Sequence, residues 1–283
     1  MTEISNKTYG EERALYGLKD ATVKNCVFAG KEDGESALKE SRSIIVSDCD
    51  FELRYPLWHC TDVEIGGCTF KDTCRASLWY TKDGLIENCT VDGVKCLREC
   101  ESLDINNCKF NSAEFGWCCS NLRLSNCEIT SEYPFFRSER LRIDNMKLCG
   151  KYSFQYVTNA VIENSVLDTK DAFWHAKNVT VRNCVINGEY LGWYSKKLTL
   201  ENCTIKGTQP LCYCNELKLV NCTMIDTDLA FECSNVEADI VGNVMSVKNP
   251  RFGRIVADSY GEVILKDCVY PCQCRVETRN LAI

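Results

Sequence analysis

Apolar residues recur in pairs with one residue between them, at Val63/Ile65, Leu103/Ile105, Leu122/Leu124, Leu141/Ile143, Leu198/Leu200 and Leu217/Leu219. Alternation with a period of two predicts short strands that bury one face. Three residues after each pair comes a slot usually filled by Cys, and two residues beyond it another apolar position: Phe70, Phe110, Ile129, Leu148, Leu167, Ile186, Ile205 and Met224. A second short strand therefore follows the first across a corner. Ser112, Ser131, Gly150, Gly188 and Gly207 then mark a second bend. A third strand is expected after it, ending in polar pairs such as Thr61-Asp62, Lys82-Asp83 and Lys177-Asn178.

The corner keeps a beat. Asn88-Cys89, Asn107-Cys108 and Asn126-Cys127 are 19 residues apart, as are Asn183-Cys184, Asn202-Cys203 and Asn221-Cys222, and Asn145-Met146 and Asn164-Ser165 fill the slots between them. With small insertions the column extends outward to Asn25, Asp48 and Gly67, and to Gly242 and Asp267. All thirteen are Asn, Asp or Gly, which take a left-handed backbone at least cost. One such coil cannot bury its own apolar face, but stacked coils can, with equivalent residues aligned about 4.8 Å apart. The expected fold is all-β: a single-stranded, right-handed parallel β-helix of about 12–13 coils of about 19 residues. The short β-branched segments argue against a helical solenoid.

The expected organisation is one β-helix domain over residues 1–283. Residues 1–25 would form the N-terminal cap and first coil, and 236–283 the irregular final coils and C-terminal cap. Longer spacing around Lys31 to Ser36, and from Lys248 to Arg254, fits the capping of an open stack. The start, MTEISNKTYGEERALYG, reads as neither a secretory signal nor a membrane anchor, so a cytoplasmic protein is expected. With 33 Lys+Arg against 40 Asp+Glu the chain is acidic, which gives no footprint for a nucleic-acid backbone. The 22 Cys mostly occupy repeat columns and read as reduced core thiols. Their spacings lack the pattern of a zinc site, so no metal or other cofactor is expected. The Asn-Cys-Thr triplets match a glycosylation signal only because the repeat generates them.

All five Trp stand in one column, ten residues before the Cys slot: Trp58, Trp79, Trp117, Trp174 and Trp193. Lys39, Arg98, Phe136, Gln155 and Cys212 share it. The preceding column is apolar (Leu57, Leu78, Leu97, Phe135, Phe154, Phe173, Leu211), and the following one reads Glu40, His59, Tyr80, Glu99, Cys118, Arg137, Tyr156, His175, Tyr194, Tyr213, Glu232. Strict alternation allows two registers, with either the Leu/Phe column or the Trp column inside. The cations among the Trp favour the first. In either register the Glu/His/Tyr row faces solvent.

A strip of Trp, Tyr, His, Glu and Arg suits sugars, since ring faces stack on a pyranose and polar groups fix its hydroxyls. The candidate ligand-binding residues are Trp58, His59, Trp79, Tyr80, Glu99, Trp117, Arg137, Tyr156, Trp174, His175, Trp193, Tyr194 and Tyr213. The alternative is a hydrophobic seam covered by a terminal segment or by a second copy of the chain.

The corner row, inward rows and coil size together resemble the pectin lyase-like right-handed β-helix superfamily. Residues 10–40 (GEERALYGLKDATVKNCVFAGKEDGESALKE) and 51–60 (FELRYPLWHC) look like an uncharacterised bacterial β-helix family of unknown function. The resemblance implies the fold and hardly an activity. The superfamily contains polysaccharide lyases and glycoside hydrolases, but their signatures are mostly missing. The two His lie in Trp58-His59-Cys60 and Trp174-His175-Ala176, not in a Gly-His-Gly, and Pro250-Arg251-Phe252-Gly253-Arg254 is a poor echo of the lyase Arg-Pro context, better read as a solvated basic loop. Glu40 and Glu99, three coils and roughly 14 Å apart, exceed the spacing of a glycosidase pair. Glu99, with Arg98 beside it and His59 two coils away, forms the only candidate catalytic group. The leading reading is thus a cofactor-free carbohydrate or small-molecule binder that engages neither nucleic acid nor membrane. A saccharide-processing enzyme and a self-associating scaffold, such as a homodimer, are the alternatives.

Overall fold

The computed structural model describes residues 2–30 and 34–279. They form an all-β parallel solenoid of about 14 turns with about 19 residues per coil. The chain divides into two compact units, Met1–Lys147 and Leu148–Ile283. Among the described residues no helix is long and apolar enough to cross a membrane.

In the first unit, strands Arg42–Ser47, Thr61–Gly66, Lys82–Glu87 and Glu101–Asn106 pair in parallel, each with the strand one coil on. Thr90 pairs with Lys109 and Lys109 with Glu128, both steps of 19. Two coils are longer. Lys19 pairs with Arg42, a step of 23, and the extra length includes Lys31–Asp33, which lie outside the described residues. Thr61 pairs with Lys82, a step of 21 that accommodates the 3-10 turn Asp72–Cys74. In the second unit, Thr158–Glu163, Lys177–Arg182 and Lys196–Glu201 repeat the pattern at 19 residues.

The inward rows are those the alternation predicts. Val63, Ile65, Leu103, Ile105, Leu198 and Leu200 are buried, as are Phe70, Phe110, Ile186 and Ile205. Phe28, Phe51 and Phe70 stack nearly face to face, with centroids 4.6 Å apart. Each corner Asn has a positive φ, from 51° at Asn25 to 54° at Asn88, and Asn6 adds a corner that the Asn-Cys beat did not disclose. The amides join along the row. Asn107 Nδ2 donates to Asn88 Oδ1 at 2.6 Å, Asn202 to Asn183 at 3.1 Å and Asn221 to Asn202 at 2.8 Å. A left-handed residue other than Gly costs about 1–2 kcal/mol, and Asn lowers that cost through its local hydrogen bonding.

The cysteine behind each corner does more than fill a small slot. Cys108 Sγ accepts the backbone N–H of Cys89 at 3.4 Å and donates to Asn106 O at 3.2 Å, a carbonyl that also accepts the Asn88 N–H, so the thiol pairs the donor that the bend leaves without a strand partner. Ser165 takes the same slot and donates to Glu163 O at 2.6 Å. Sixteen of the 22 cysteines are buried, in agreement with core thiols. Burial pushes Cys60 and Cys74 up to about 12, which leaves them protonated and unreactive at neutral pH.

Two expectations need correction. The third side is not a regular strand. In the first unit it shrinks to two-residue pairings, Leu57–Trp58 with Leu78–Trp79 and Glu114–Phe115 with Tyr133–Pro134. In the second unit Ser153–Tyr156 and Ala172–His175 are tight turns. The final coils also leave the 19-residue beat. Thr223 pairs with Val241 and Asn243 with Ser259, so Gly242 and Asp258 share a bend of their own. Asp258 Oδ2 accepts the Gly242 N–H at 2.6 Å, while Asp267 lies in the strand-free segment before Arg275–Thr278. Neither Gly242 nor Asp267 therefore continues the Asn row.

The slot chemistry predicts a rank order. Cys108→Ser keeps a donor and an acceptor and should cost no more than about 1 kcal/mol. Cys108→Leu overfills the slot and orphans the Cys89 N–H, costing about 1–3 kcal/mol or more. Urea denaturation of the two variants measures both, and equal losses would contradict the role given to the sulfur.

Candidate functional site

The side that carries the aromatic columns is shaped by backbone sign. Phe173 and His175 have φ of 60° and 56°, with Trp174 between them, and Leu211 and Tyr213 repeat this at 64° and 60°. Two left-handed residues so close together defeat strict alternation. Phe173 and Ala176 are buried, while Trp174 and His175 both face outward and are half-buried. The same in-out-out-in order holds at Leu57, Trp58, His59 and Cys60. The Leu/Phe column is inside and the Trp column is not, as the cations implied, but the following buried column is inside as well.

Trp58 and Trp79 stack with centroids 5.5 Å apart, and Trp174 and Trp193 at 5.4 Å. Lys39 Nζ lies 4.4 Å from the Trp58 centroid, and the Arg98 guanidinium sits between Trp79 and Trp117 at 5.3 and 5.2 Å. The cations in this column are thus ring partners as well as surface charges. The indole N–H of Trp117, Trp174 and Trp193 each donates to a backbone carbonyl, of Tyr133, Tyr190 and Gln209, at 2.6–2.7 Å. These Trp pin one coil to the next. The buried indole nitrogens of Trp58 and Trp79 have no such partner among the described residues.

The outer row stands apart. In the second unit Tyr156, His175, Tyr194 and Tyr213 form one four-ring stack, with successive centroids 4.8, 5.1 and 4.9 Å apart and planes within 13°. Tyr156 and Tyr194 are 42% and 46% exposed. In the first unit His59 stacks on Tyr80 at 4.7 Å. Stacking covers the ring faces inside each ladder and leaves edges and tips to solvent. A strip of open faces for sugar stacking, the sequence expectation, is therefore not what these rings present. They present a row of phenol hydroxyls and imidazole nitrogens. Burial, reinforced by Glu232, pushes the Tyr213 phenol up, so it remains a donor. Glu232 itself is held by Lys248 Nζ at 2.9 Å.

The candidate catalytic group does not assemble. His59, Tyr80 and Glu99 lie on consecutive coils, because His59 N–H bonds to Trp79 O and Tyr80 N–H to Arg98 O, so a Tyr stands between the His and the Glu. Arg98 is bound by Glu114 at 3.0 Å and approaches Glu99 only to 3.9 Å. Arg137 lies over its neighbour Phe136 at 5.1 Å. Tyr190, which sequence reasoning passed over, packs edge-on against Trp193 at 5.5 Å; its sequence signal is a Tyr three residues before a Trp, as at Tyr55 and Trp58.

Fold and site together define a parallel β-solenoid in which each unit displays a stacked ring ladder. The chain belongs to the DUF3737 family, described as a protein of unknown function, whose model matches residues 2–277. No curated protein matches it in sequence. Solved structures similar to it include an exopolygalacturonase from Thermotoga maritima, at 8% identity over 99% of this chain and 82% of that chain, with a TM-score of 0.39. The tailspike protein of E. coli bacteriophage HK620 matches at 8% identity over 97% and 72%, with a TM-score of 0.43. The periplasmic alginate epimerase AlgG matches at 9% identity over 93% and 77%, with a TM-score of 0.29. Likenesses of this size carry no information about chemistry.

Inner and outer columns should respond differently to substitution. Phe173→Ala empties a site that is 0% exposed and stacked on Phe154, and should cost about 3–5 kcal/mol. Tyr194→Asn loses ring contacts worth about 0.5–1.5 kcal/mol each but relieves a left-handed backbone cost of about 1–2 kcal/mol, for a net change within about 1 kcal/mol. Thermal or urea unfolding distinguishes the two, and a loss at Tyr194 as large as at Phe173 would make the outer row part of the core.

Proposed function

We propose that this protein is a ligand-binding β-solenoid whose outer row recognises carbohydrate through ring edges and tips. The observation that carries the reading is the backbone at that row. His59, Tyr80, Tyr156, His175, Tyr194 and Tyr213 all have φ between 55° and 60°, the conformation that the corner rows give to Asn. Each bulky residue costs about 1–2 kcal/mol there, and its ring contacts recover roughly the same amount. Fold stability alone therefore gives little reason to keep Tyr and His where Asn or Gly would serve. A backbone outlier repeated coil after coil, with polar tips turned to water, is what a recognition surface would preserve.

The tips favour a neutral, hydroxyl-rich ligand. Phenol oxygens donate and accept, imidazole nitrogens do the same, and the row repeats about every 4.8 Å along the coil axis. An oligosaccharide laid along the second unit's ladder, from Tyr156 to Tyr213, meets one polar tip per coil. Its apolar face stacks at the end of the ladder, on the Tyr213 face turned away from Tyr194, where no further stacked ring follows among the described residues and Trp193 packs only edge-on. The Trp column supports this row from behind.

Binding to a panel of oligosaccharides, measured by glycan array and then titration calorimetry, tests the reading. Tyr194→Phe keeps the stack and removes one hydroxyl, so affinity should fall about 3- to 10-fold, the worth of one hydrogen bond. Trp193→Phe should lower stability and leave affinity nearly unchanged. Absence of any glycan ligand, or affinity indifferent to Tyr194→Phe and to His175→Ala alike, would overturn the proposal.

A further inference from the structure

Cysteine chemistry changes character near the C-terminal end of the second unit. Most cysteines are buried with their sulfurs on backbone carbonyls, whereas Cys268 is exposed and Cys272 and Cys274 are half-buried, all within the strand-free stretch between Ser259–Ile264 and Arg275–Thr278. Cys268 Sγ and Cys272 Sγ are 2.7 Å apart, well inside the contact distance of two unbonded sulfurs. The Cys268 sulfur is also fixed from the other side. Its Sγ lies 3.1 Å from Oδ1 of Asn249, a buried residue whose Nδ2 donates to Lys266 O at 2.8 Å. Pro271, immediately before Cys272, stiffens the turn that brings the thiols together. Next to it the Arg251 guanidinium lies 4.9 Å over the Tyr270 ring, holding the middle of the turn against the fold.

We infer that Cys268 and Cys272 form a reversible dithiol–disulfide site that reacts with small-molecule disulfides of the glutathione type. The loop they close is short. A bridge across it removes little chain entropy, so it is a poor structural staple, and its exposure leaves it open to exchange. That combination suits a site that is oxidised and reduced repeatedly. Cys268 is the more exposed of the two and makes the first attack, while burial and its hydrogen bond with Cys268 push the Cys272 thiol up to about 11 and keep its proton in place. The Cys268 thiolate attacks one sulfur of the small disulfide, breaking that S–S bond, forming a mixed disulfide and releasing one small thiolate. Cys272 then loses its proton and attacks the Cys268 sulfur, forming the Cys268–Cys272 bond and expelling the second small thiolate. The two protons from the cysteines end on the released thiols, so the protein is oxidised by two electrons and the small disulfide is reduced to two thiols.

The test uses the full chain equilibrated in glutathione buffers from fully reduced to fully oxidised, quenched with acid, alkylated and digested with trypsin. Cleavage after Lys266 and Arg275 places Cys268, Cys272 and Cys274 on one peptide. With rising oxidised glutathione this peptide should become lighter by two hydrogen atoms and carry a single alkyl group, on Cys274, and excess dithiothreitol should reverse the change. In Cys272→Ser a glutathione adduct should persist on Cys268, because nothing displaces it. Alkylation of all three cysteines in the most oxidising buffer would overturn the inference. So would pairing through Cys274, or glutathione left unresolved on the wild-type peptide. The wild-type map stands without any variant and is independent of whether the outer row binds carbohydrate.

Discussion

The regular coils depend on left-handed bends placed at the same points of each one, from Asn6 to Asn221. A 19-residue coil must reverse its direction within a few residues several times, and residues with positive φ do so without long loops. At the Asn and Asp residues of the corner φ stays between 51° and 56° from Asn6 to Asn221, and Gly67 takes 63°. That constancy keeps successive strands in register, and the register builds the buried Phe and Leu rows. The energy of the core comes from those rows, since an apolar side chain taken fully out of water contributes about 1.5–3 kcal/mol. The bends decide which side chains receive it. Gly188 and Gly207 show how tightly the coils meet at the second bend, where a Cβ on Gly207 would stand 2.3 Å from the Gly188 carbonyl oxygen.

The same conformation does two jobs. At the corner it is filled by Asn, whose amides join into an exposed ladder of hydrogen bonds. On the aromatic side it is filled by His, Tyr, Glu and Arg, and there it turns two consecutive residues outward. The first of the two, in the Trp column, is absorbed by the fold through stacking, cation contacts and indole hydrogen bonds to the next coil. The second has its faces covered by neighbours and its tip in water. A functional surface made this way is polar at its tips even though it is aromatic in composition, which is why hydrogen bonding, and not face stacking, dominates the recognition chemistry assigned to it.

Much of the architecture was legible in the chain. Asn-Cys at intervals of 19 marks a bend and the slot behind it, and the paired apolar positions ahead of it can face only inward, so register and core follow together. The two outward columns could also be picked out, because Lys39, Arg98 and Gln155 among the Trp would not be buried unpaired. Three features were not legible. Tyr and His favour strands and carry no sign of left-handed backbone, so the third side read as a strand. Beyond Asn221 the coil shortens to pair Asn243 with Ser259, and an alignment by residue type alone placed Gly242 and Asp267 in a row they do not join. The covering of ring faces depends on axial spacing and ring tilt, such as the 8° between His175 and Tyr194, which no residue identity encodes.

The most direct test compares glycine with alanine at two bends, Asn183 and Tyr194, by urea denaturation. At ordinary strand positions alanine is the more stable of the two by about 0.5–1 kcal/mol. At a left-handed bend the order inverts, and the glycine variant should exceed the alanine variant by about 1 kcal/mol at both sites. Alanine more stable than glycine at either site would mean that the chain does not turn there as described, and the register built on those bends would fail with it.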